Sequence, residues 1–376
     1  MKVIILTLST GNGHNKASAA LCDYLRTCGV DAKTVDAYKY FNKLLSNLLE
    51  KGYLYATRYI PYMYGKFYSM IEKQDHSDAK ISWSKFCNSF VARRFAKYLS
   101  KQNPDIVVST HPLAAYLITT YKRKKLVDTK SIGIITDFCV HPYWDQTDMD
   151  YYISVNSVIK NQLVKKGIPA EKILPFGIPI EAKFAEKREK SEARAMLNIE
   201  DKPTVFIITG SMGYGHIEKY IRCLDTMNDD FQIVSVCGNN KTMKEHIDNL
   251  VTKKRIYNFG FVNNIDLIMD ASDFIVTKPG GLTVSEAIAK KIPIILIDPI
   301  PGQEDRNREF LLNNGLAVGV SKTLPIDEVL YELLHCETRT KQLVQMQEIL
   351  GHADSSKRLG DFIIDFVGRD VKNAER

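Results

Sequence analysis

Short apolar runs recur along the chain, each closed by glycine, proline or a polar turn and followed by apolar positions at helical spacing. In the first half they predict strands at 3–8, 30–36, 105–110, 131–136 and 150–155 and helices at 15–28, 84–101, 113–122 and 156–166. In the second half they predict strands at 204–209, 231–236, 255–258, 273–277 and 293–297, with helices between, and a helical pattern from about 325 to 368. Runs such as Ile106-Val107-Val108, entered after the Asn103-Pro104 break, are continuous rather than alternating. That is how strands covered on both faces of a parallel sheet read. Strand–helix alternation in both halves predicts an α/β protein of two Rossmann-like, doubly wound parallel sheets. Gly177-Ile178-Pro179-Ile180 closes a first domain, 1–180, and a second follows over 181–352. The charged stretch 181–202 reads as an exposed linker plus a helix. The last helix, about 353–376, is free to cross back onto the first domain.

Residues 36–82 break this rhythm. Phe41, Leu44, Leu45, Leu48 and Leu49 make one apolar helix face, with Lys43, Ser46, Asn47, Glu50 and Lys51 opposite. Tyrosines at 53, 55, 59, 62, 64 and 68 follow, with Arg58 and Lys66 among them. Leucine on one side with tyrosine and cations beside it is the composition of an element lying in a membrane interface. Leu44, Leu45, Leu48, Leu49 and Tyr53 are therefore the membrane-contact candidates. Ordinary core packing is the alternative. Stacking on single-stranded nucleic acid is a third reading, unsupported by any recognised nucleic-acid motif.

The pattern also repeats. Residues 3–14, V-I-I-L-T-L-S-T-G-N-G-H, and 205–216, V-F-I-I-T-G-S-M-G-Y-G-H, match at seven of twelve positions, including the final Gly-x-Gly-His. Each copy is an apolar strand, a glycine turn and the start of a helix. That is the opening of a phosphate-receiving α/β domain. Two openings 202 residues apart suggest two such domains facing one cleft, which suits group transfer from a nucleotide.

Composition agrees with a cytosolic globular protein: 45% apolar, 25% charged, and seven scattered cysteines without a Cys-x-x-Cys. The chain enters a strand at Lys2, which leaves no room for a signal peptide, and no apolar run approaches membrane-helix length. Charge changes the picture more. Residues 1–180 hold 25 Lys and Arg against 14 acids, a net of +11, while the remainder holds 26 against 30, a net of −4. The first half is thus drawn to anionic surfaces.

Candidate chemistry is densest over 277–307. Gly280 and Gly281 follow a strand and open a helix near Thr283, whose first-turn amides favour an anion. Glu286, taken as a first-turn surface residue, suits a ribose diol. Gln303 and Glu304, past the next strand end, can read sugar hydroxyls. Asp148-Met149-Asp150 has the spacing of a metal-binding Asp-x-Asp. It precedes a strand instead of following one, so no metal is expected.

The set G-N-G-H at 11–14, S-T-H-P at 109–112, T-D-F-C-V-H-P at 136–142, T-K-P-G-G at 277–281 and P-G-Q-E-x-x-N at 301–307 resembles the diacylglycerol glycosyltransferases. Over nearly the whole chain it resembles monogalactosyldiacylglycerol synthases, and most nearly the bacterial processive glucosyl branch. The resemblance implies a GT-B fold, a UDP-sugar donor used as substrate, diacylglycerol as acceptor, an inverting reaction without metal or other cofactor, and peripheral attachment to the cytoplasmic face of an anionic membrane. It implies a donor site of Gly210, Ser211, Phe261, Val262, Gly280, Gly281, Glu286, Gln303, Glu304 and Asn307. On the acceptor side it implies Asn12, Gly13, His14, Asp137, His111 and His141. Plant members carry Asp where Ser9 stands and Gly where Asn12 stands, and a histidine at 216 is not expected. The chemistry itself asks for a base near neutrality, which suits His14, with Asp137 as the other catalytic candidate. Transfer of galactose or N-acetylglucosamine, a UDP-sugar epimerase and a non-catalytic UDP-sugar sensor are the alternatives.

Overall fold

In a computed structural model the described residues are 1–8, 12–37, 62–63, 65–66, 70, 90–213 and 215–374. Leu44, Leu45, Leu48, Leu49 and Tyr53, and the 84–89 part of the helix expected at 84–101, lie outside them.

The first unit comprises Met1–Ala182, Pro301–Gln303 and Asp354–Arg376. Its strands are β1 (Lys2–Thr7), β2 (Asp31–Asp36), β3 (Ile106–Ser109), β4 (Lys130–Ile134), β5 (Tyr151–Ile153) and β6 (Ile173–Leu174). They form a parallel sheet ordered β2-β1-β3-β4-β5-β6. Helices α1 (Asn12–Thr27), α2 (Phe90–Gln102), α3 (Pro112–Arg123) and α4 (Lys160–Lys165) connect them. Val3, Ile5, Ile106, Val108 and Ile132 are fully buried, as the unbroken β-branched runs demand.

The second unit comprises Lys183–Ile300 and Glu304–Ala353. Its strands are β7 (Thr204–Ile208), β8 (Gln232–Val236), β9 (Ile256–Phe259), β10 (Phe274–Thr277), β11 (Ile294–Leu296) and β12 (Val318–Gly319). They form a parallel sheet ordered β12-β11-β10-β7-β8-β9. Its helices are α5 (Lys190–Leu197), α6 (Ile217–Leu224), α7 (Lys241–Asp248), α8 (Ile265–Ala271), α9 (Gly281–Ala289), α10 (Gln303–Asn313), α11 (Ile326–His335) and α12 (Glu337–Leu350). Gln303, the first residue of α10, groups with the first unit, so the second unit is not one continuous stretch.

Both sheets reverse their winding beside the opening strand of the unit, between β1 and β3 and between β7 and β10. Ligands of open parallel sheets bind at the carboxyl ends of the strands at such a point. The two edge strands β6 and β12 were not expected. Each is two residues long, too short to carry a period.

The last helix, α13 (Ser355–Ala374), lies on the first sheet. Leu359 and Ile363 are fully buried in that core, and Tyr24 of α1 donates to Asp361 at 2.6 Å. A Cβ on Gly360 would overlap the Tyr24 ring, so the two helices need glycine there. The stretch 181–202 is largely exposed and carries α5, as expected, but it is anchored at several points. Phe184, Ala193 and Arg194 are buried. Arg188 lies 3.6 Å from Asp266 and 3.5 Å from Asp270, and the buried Lys290 pairs with Asp270 at 2.8 Å. Four of its basic side chains, Lys183, Arg188, Lys190 and Arg194, are paired with Asp266, Asp270 or Asp273.

Candidate functional site

In the first unit the carboxyl ends of β1, β3 and β4, neighbours in the sheet, carry the loops that hold His14, His111 and Asp137. Asn12 and Gly13 begin the first turn of α1, with His14 next; the side chain of Asn12 lies outside the described residues. His14 is half-buried. Its Nδ1 lies 2.7 Å from the Thr110 carbonyl and 3.0 Å from the Thr136 hydroxyl. A carbonyl can only accept, so Nδ1 carries the hydrogen and Nε2 keeps its lone pair. Burial pulls the His14 ring below its ordinary range; the charge of Asp137 and the Thr110 carbonyl oppose this. The ring is therefore neutral near pH 7, with its basic nitrogen available.

His111 and His141 are oriented the other way. His111 caps α3 by accepting the Leu113 amide at Nδ1, 3.1 Å, and His141 accepts the Tyr143 amide at 3.2 Å. In each neutral ring Nε2 then bears the hydrogen. His111 packs edge-on against His14 with 5.0 Å between ring centroids. Burial, then the neighbouring His14 and His141, hold it well below the usual histidine range. One ring is thus set as acceptor and two as donors. Thr110 and Thr136, which position His14, were not singled out from sequence. Both stand inside the quoted S-T-H-P and T-D-F-C-V-H-P stretches, but a threonine there carries no signal of its own.

In the second unit β7, β10 and β11 are likewise neighbours. After β7 the chain turns at Gly210, φ +86°, and at Gly213, φ +62°. A Cβ on Gly213 would overlap the Cys237 carbonyl, and one on Gly238 would overlap the Ser211 carbonyl. This glycine turn is seated on the loop after β8, and Asn240 fastens it by donating to the Gly213 carbonyl at 3.0 Å. After β10, Gly280 is the N-cap of α9 with an ordinary φ of −77°. A Cβ there would meet no atom within 4 Å, so the protein itself leaves that space open.

One expectation needs correcting. Helix α9 starts at Gly281, so Glu286 stands in its second turn and is only 4% exposed. It is not a surface residue, and replacing it touches the fold as well as any ligand. Gln303 and Glu304 stand past the end of β11, as expected, where they begin α10, and one Glu304 oxygen accepts the Ile300 amide at 2.7 Å. Asn307, fully buried, donates to the Pro279 carbonyl at 3.0 Å and so holds the turn that enters α9. Phe261 and Val262 follow β9, on the far side of β8 from β7; Phe261 is 52% exposed.

The Asp-x-Asp acids are committed elsewhere. Asp150 bonds Lys122 at 2.7 Å and the Ser131 amide and hydroxyl at 2.7 and 2.8 Å. Asp148 pairs with Lys172 at 3.3 Å. These bonds outweigh the burial of Asp150 and hold its carboxyl below the usual range. His216, a histidine not expected from the resemblance, lies 3.0 Å through Nδ1 from Asp298.

Comparison with known proteins now bears on this geometry. The monogalactosyldiacylglycerol (MGDG) synthase family model matches residues 14–180, and that of the glycosyltransferase family 28 C-terminal domain matches residues 204–359. The processive diacylglycerol beta-glucosyltransferase of Bacillus cereus (strain AH187) is 30% identical over 369 residues, covering 96% of this chain and 93% of that protein. That of Bacillus thuringiensis (strain Al Hakam) is 29% identical over 370 residues, covering 97% and 93%. Among solved structures, Acinetobacter baumannii MurG superposes with a TM-score of 0.63 at 14% identity, covering 97% of this chain and 99% of that one. The calicheamicin glycosyltransferase CalG4 superposes at 0.66 and 13%, covering 98% and 99%. A UDP-N-acetylglucosamine 2-epimerase superposes at 0.58 and 14%, covering 98% and 96%. At these identities the structures establish the fold alone, which is GT-B.

Proposed function

The chain belongs to the family of the processive diacylglycerol beta-glucosyltransferases, and from that premise we propose that it moves glucose from UDP-glucose to the free hydroxyl of diacylglycerol, forming a β-glucoside. It is a UDP-sugar-dependent glycosyltransferase. The observation that carries the finer reading is the orientation of His14. Its Nε2 takes the proton of the acceptor hydroxyl as that oxygen attacks the anomeric carbon. The bond from that carbon to the diphosphate oxygen breaks with its electron pair, and UDP leaves. Attack from the opposite face inverts the centre.

The departing charge is stabilised by amides of the Gly210–Ser211 turn and of the first turn of α9, without a divalent ion. The commitment of Asp148 and Asp150 to lysines supports that reading. Attachment is peripheral, to an anionic surface on the cytoplasmic side. No helix among the described residues is long and apolar enough to cross a membrane. Tyr62, Met63 and Met70 are exposed at 71%, 65% and 48%, with the Lys66 ammonium 4.6 Å over the Tyr62 ring. Apolar and aromatic side chains in water beside a cation suit a headgroup boundary.

Labelled UDP-glucose, UDP-galactose and UDP-N-acetylglucosamine, each supplied with diacylglycerol in anionic vesicles, test the assignment. Glucolipid formation from UDP-glucose, with a β linkage by NMR and undiminished by EDTA, is expected. Sugar epimerisation without lipid, or dependence on added Mg²⁺ or Mn²⁺, contradicts it.

A further inference from the structure

The loop after β7 and the end of β11 are joined across β10. His216 lies on that loop, and its Nδ1 is 3.0 Å and its amide 3.3 Å from Asp298 Oδ2. Asp298 stands two residues beyond β11, with a left-handed φ of 39°. Its other oxygen accepts the Tyr220 hydroxyl of α6 at 2.6 Å. In the sheet β10 separates β7 from β11, which are thus about 10 Å apart. The histidine–carboxylate bridge therefore passes over the end of β10, whose exit leads through Lys278 and Pro279 into the first turn of α9. There the space beside Gly280 is open. The His216 side chain is 74% exposed although both ends of its tether are fixed.

We propose that His216, held by Asp298, is an added contact for the diphosphate of the UDP-sugar, its Nε2–H donating to a phosphate oxygen. The inference rests on the reading of the chain as a UDP-sugar-dependent transferase. With Nδ1–H on the carboxylate, Nε2 bears a hydrogen only in the imidazolium, so nucleotide binding draws a proton onto the ring. Burial pushes the Asp298 carboxyl up, but Tyr220 and His216 outweigh this and hold it below its usual range. It is thus a lasting negative partner for the cation. The other charged groups nearby in the chain are Lys278 after β10 and, on the first turn of α6, Lys219 and Glu218. Glu218 is taken by Arg222 at 2.8 Å and lies 3.9 Å from His246 of α7.

Titration calorimetry of the whole protein with UDP, uridine and UDP-glucose, at pH 6 and pH 8, tests this on wild type, His216→Gln and Asp298→Asn. Taking the ratio of wild-type to variant affinity at each pH cancels the ionisation of UDP's own terminal phosphate near ~6. His216→Gln should weaken UDP roughly tenfold or more at pH 6, much less at pH 8, and leave uridine unchanged. Asp298→Asn should do the same in smaller measure, since asparagine tolerates the left-handed backbone. Equal UDP affinity at both pH values overturns the proposal. So does parallel weakening of UDP and uridine, which would make the bridge a loop tie only. So does a loss confined to UDP-glucose, which would make the ring a sugar contact. A wild-type protein that binds no UDP overturns the transferase reading itself.

Discussion

The two Gly-x-Gly-His loops begin from nearly the same sequence and end in different chemistry. Both follow a Val-x-Ile-x-Thr strand, and both bring histidine to the first turn of a helix or just before it. His14 is half-buried and gives its Nδ1 hydrogen to a neutral carbonyl. His216 is exposed and gives it to a carboxylate. The partner of one nitrogen sets the task of the other. A carbonyl in a desolvated site leaves a neutral ring with a basic Nε2, whereas a carboxylate at the surface supports a cation with an Nε2–H to offer. A motif that repeats is therefore not a function that repeats.

The comparison can be broken most sharply at His14. His14→Gln should lower kcat by about 10²–10⁴-fold while UDP affinity, by calorimetry, stays at the wild-type value. A UDP affinity that falls with kcat would put His14 on the donor instead. Asp137→Asn comes next, with a loss on the order of tenfold. The Asp137 charge raises the His14 pKa, so its removal lowers that pKa further. The acid limb of kcat/KM, already below the usual ~6.5, should then move to still lower pH, while the plateau rate falls because the base is weaker. A limb that moves upward would mean that Asp137 does not act through His14.

Glu286→Gln probes the second unit. It should cost about 1–3 kcal/mol of UDP binding if the carboxylate holds the ribose, and it should also lower Tm, because this carboxylate is buried in α9. An unchanged UDP affinity would leave Glu286 a purely structural acid. The smallest effect separates the equivalent strand-end threonines. Thr7 donates to Asn15 at 2.8 Å, whereas the buried Thr209 hydroxyl has no hydrogen-bond partner among the described residues, its loop having Ile217 where α1 has Asn15. Thr7→Val should destabilise by about 1 kcal/mol in urea unfolding, and Thr209→Val by close to nothing. A large loss of UDP affinity in Thr209→Val would show that this hydroxyl faces the donor.

Strands such as β1, β3, β7 and β10 were legible because each is a run of four to six largely apolar or β-branched residues whose register hardly matters when both faces are buried. The opening strands at 3 and 205 landed within a residue of their ends. Segments whose order comes from pairing rather than periodicity were not legible. Lys183, Arg188 and Arg194 look solvated until Asp266, Asp270 and Asp273 are seen opposite them. In the site, residue types were readable and roles were not. His111 and His141 qualify as bases by composition, yet the amides of Leu113 and Tyr143 occupy the nitrogen that would make them so. The glycine pair hides the true start of α9 at Gly281, so a pattern that begins near Thr283 puts Glu286 one turn too early.

The return of α13 to the first sheet has a consequence for biosynthesis. Leu359, Ile363 and Val367 belong to the same apolar core as Val3 and Ile5, which are made long before them. The ribosome adds roughly 5–20 residues per second. The stretch 183–354 therefore takes about 10–35 s to emerge, and throughout it one wall of the first core is missing. The second unit's residues are all made before that wall arrives, so the first unit, that half of the fold, is sealed only once Ser355–Ala374 has been synthesised. A premature stop anywhere before 355 leaves that half with an open apolar face, a substrate for chaperones and proteases and not a slower enzyme.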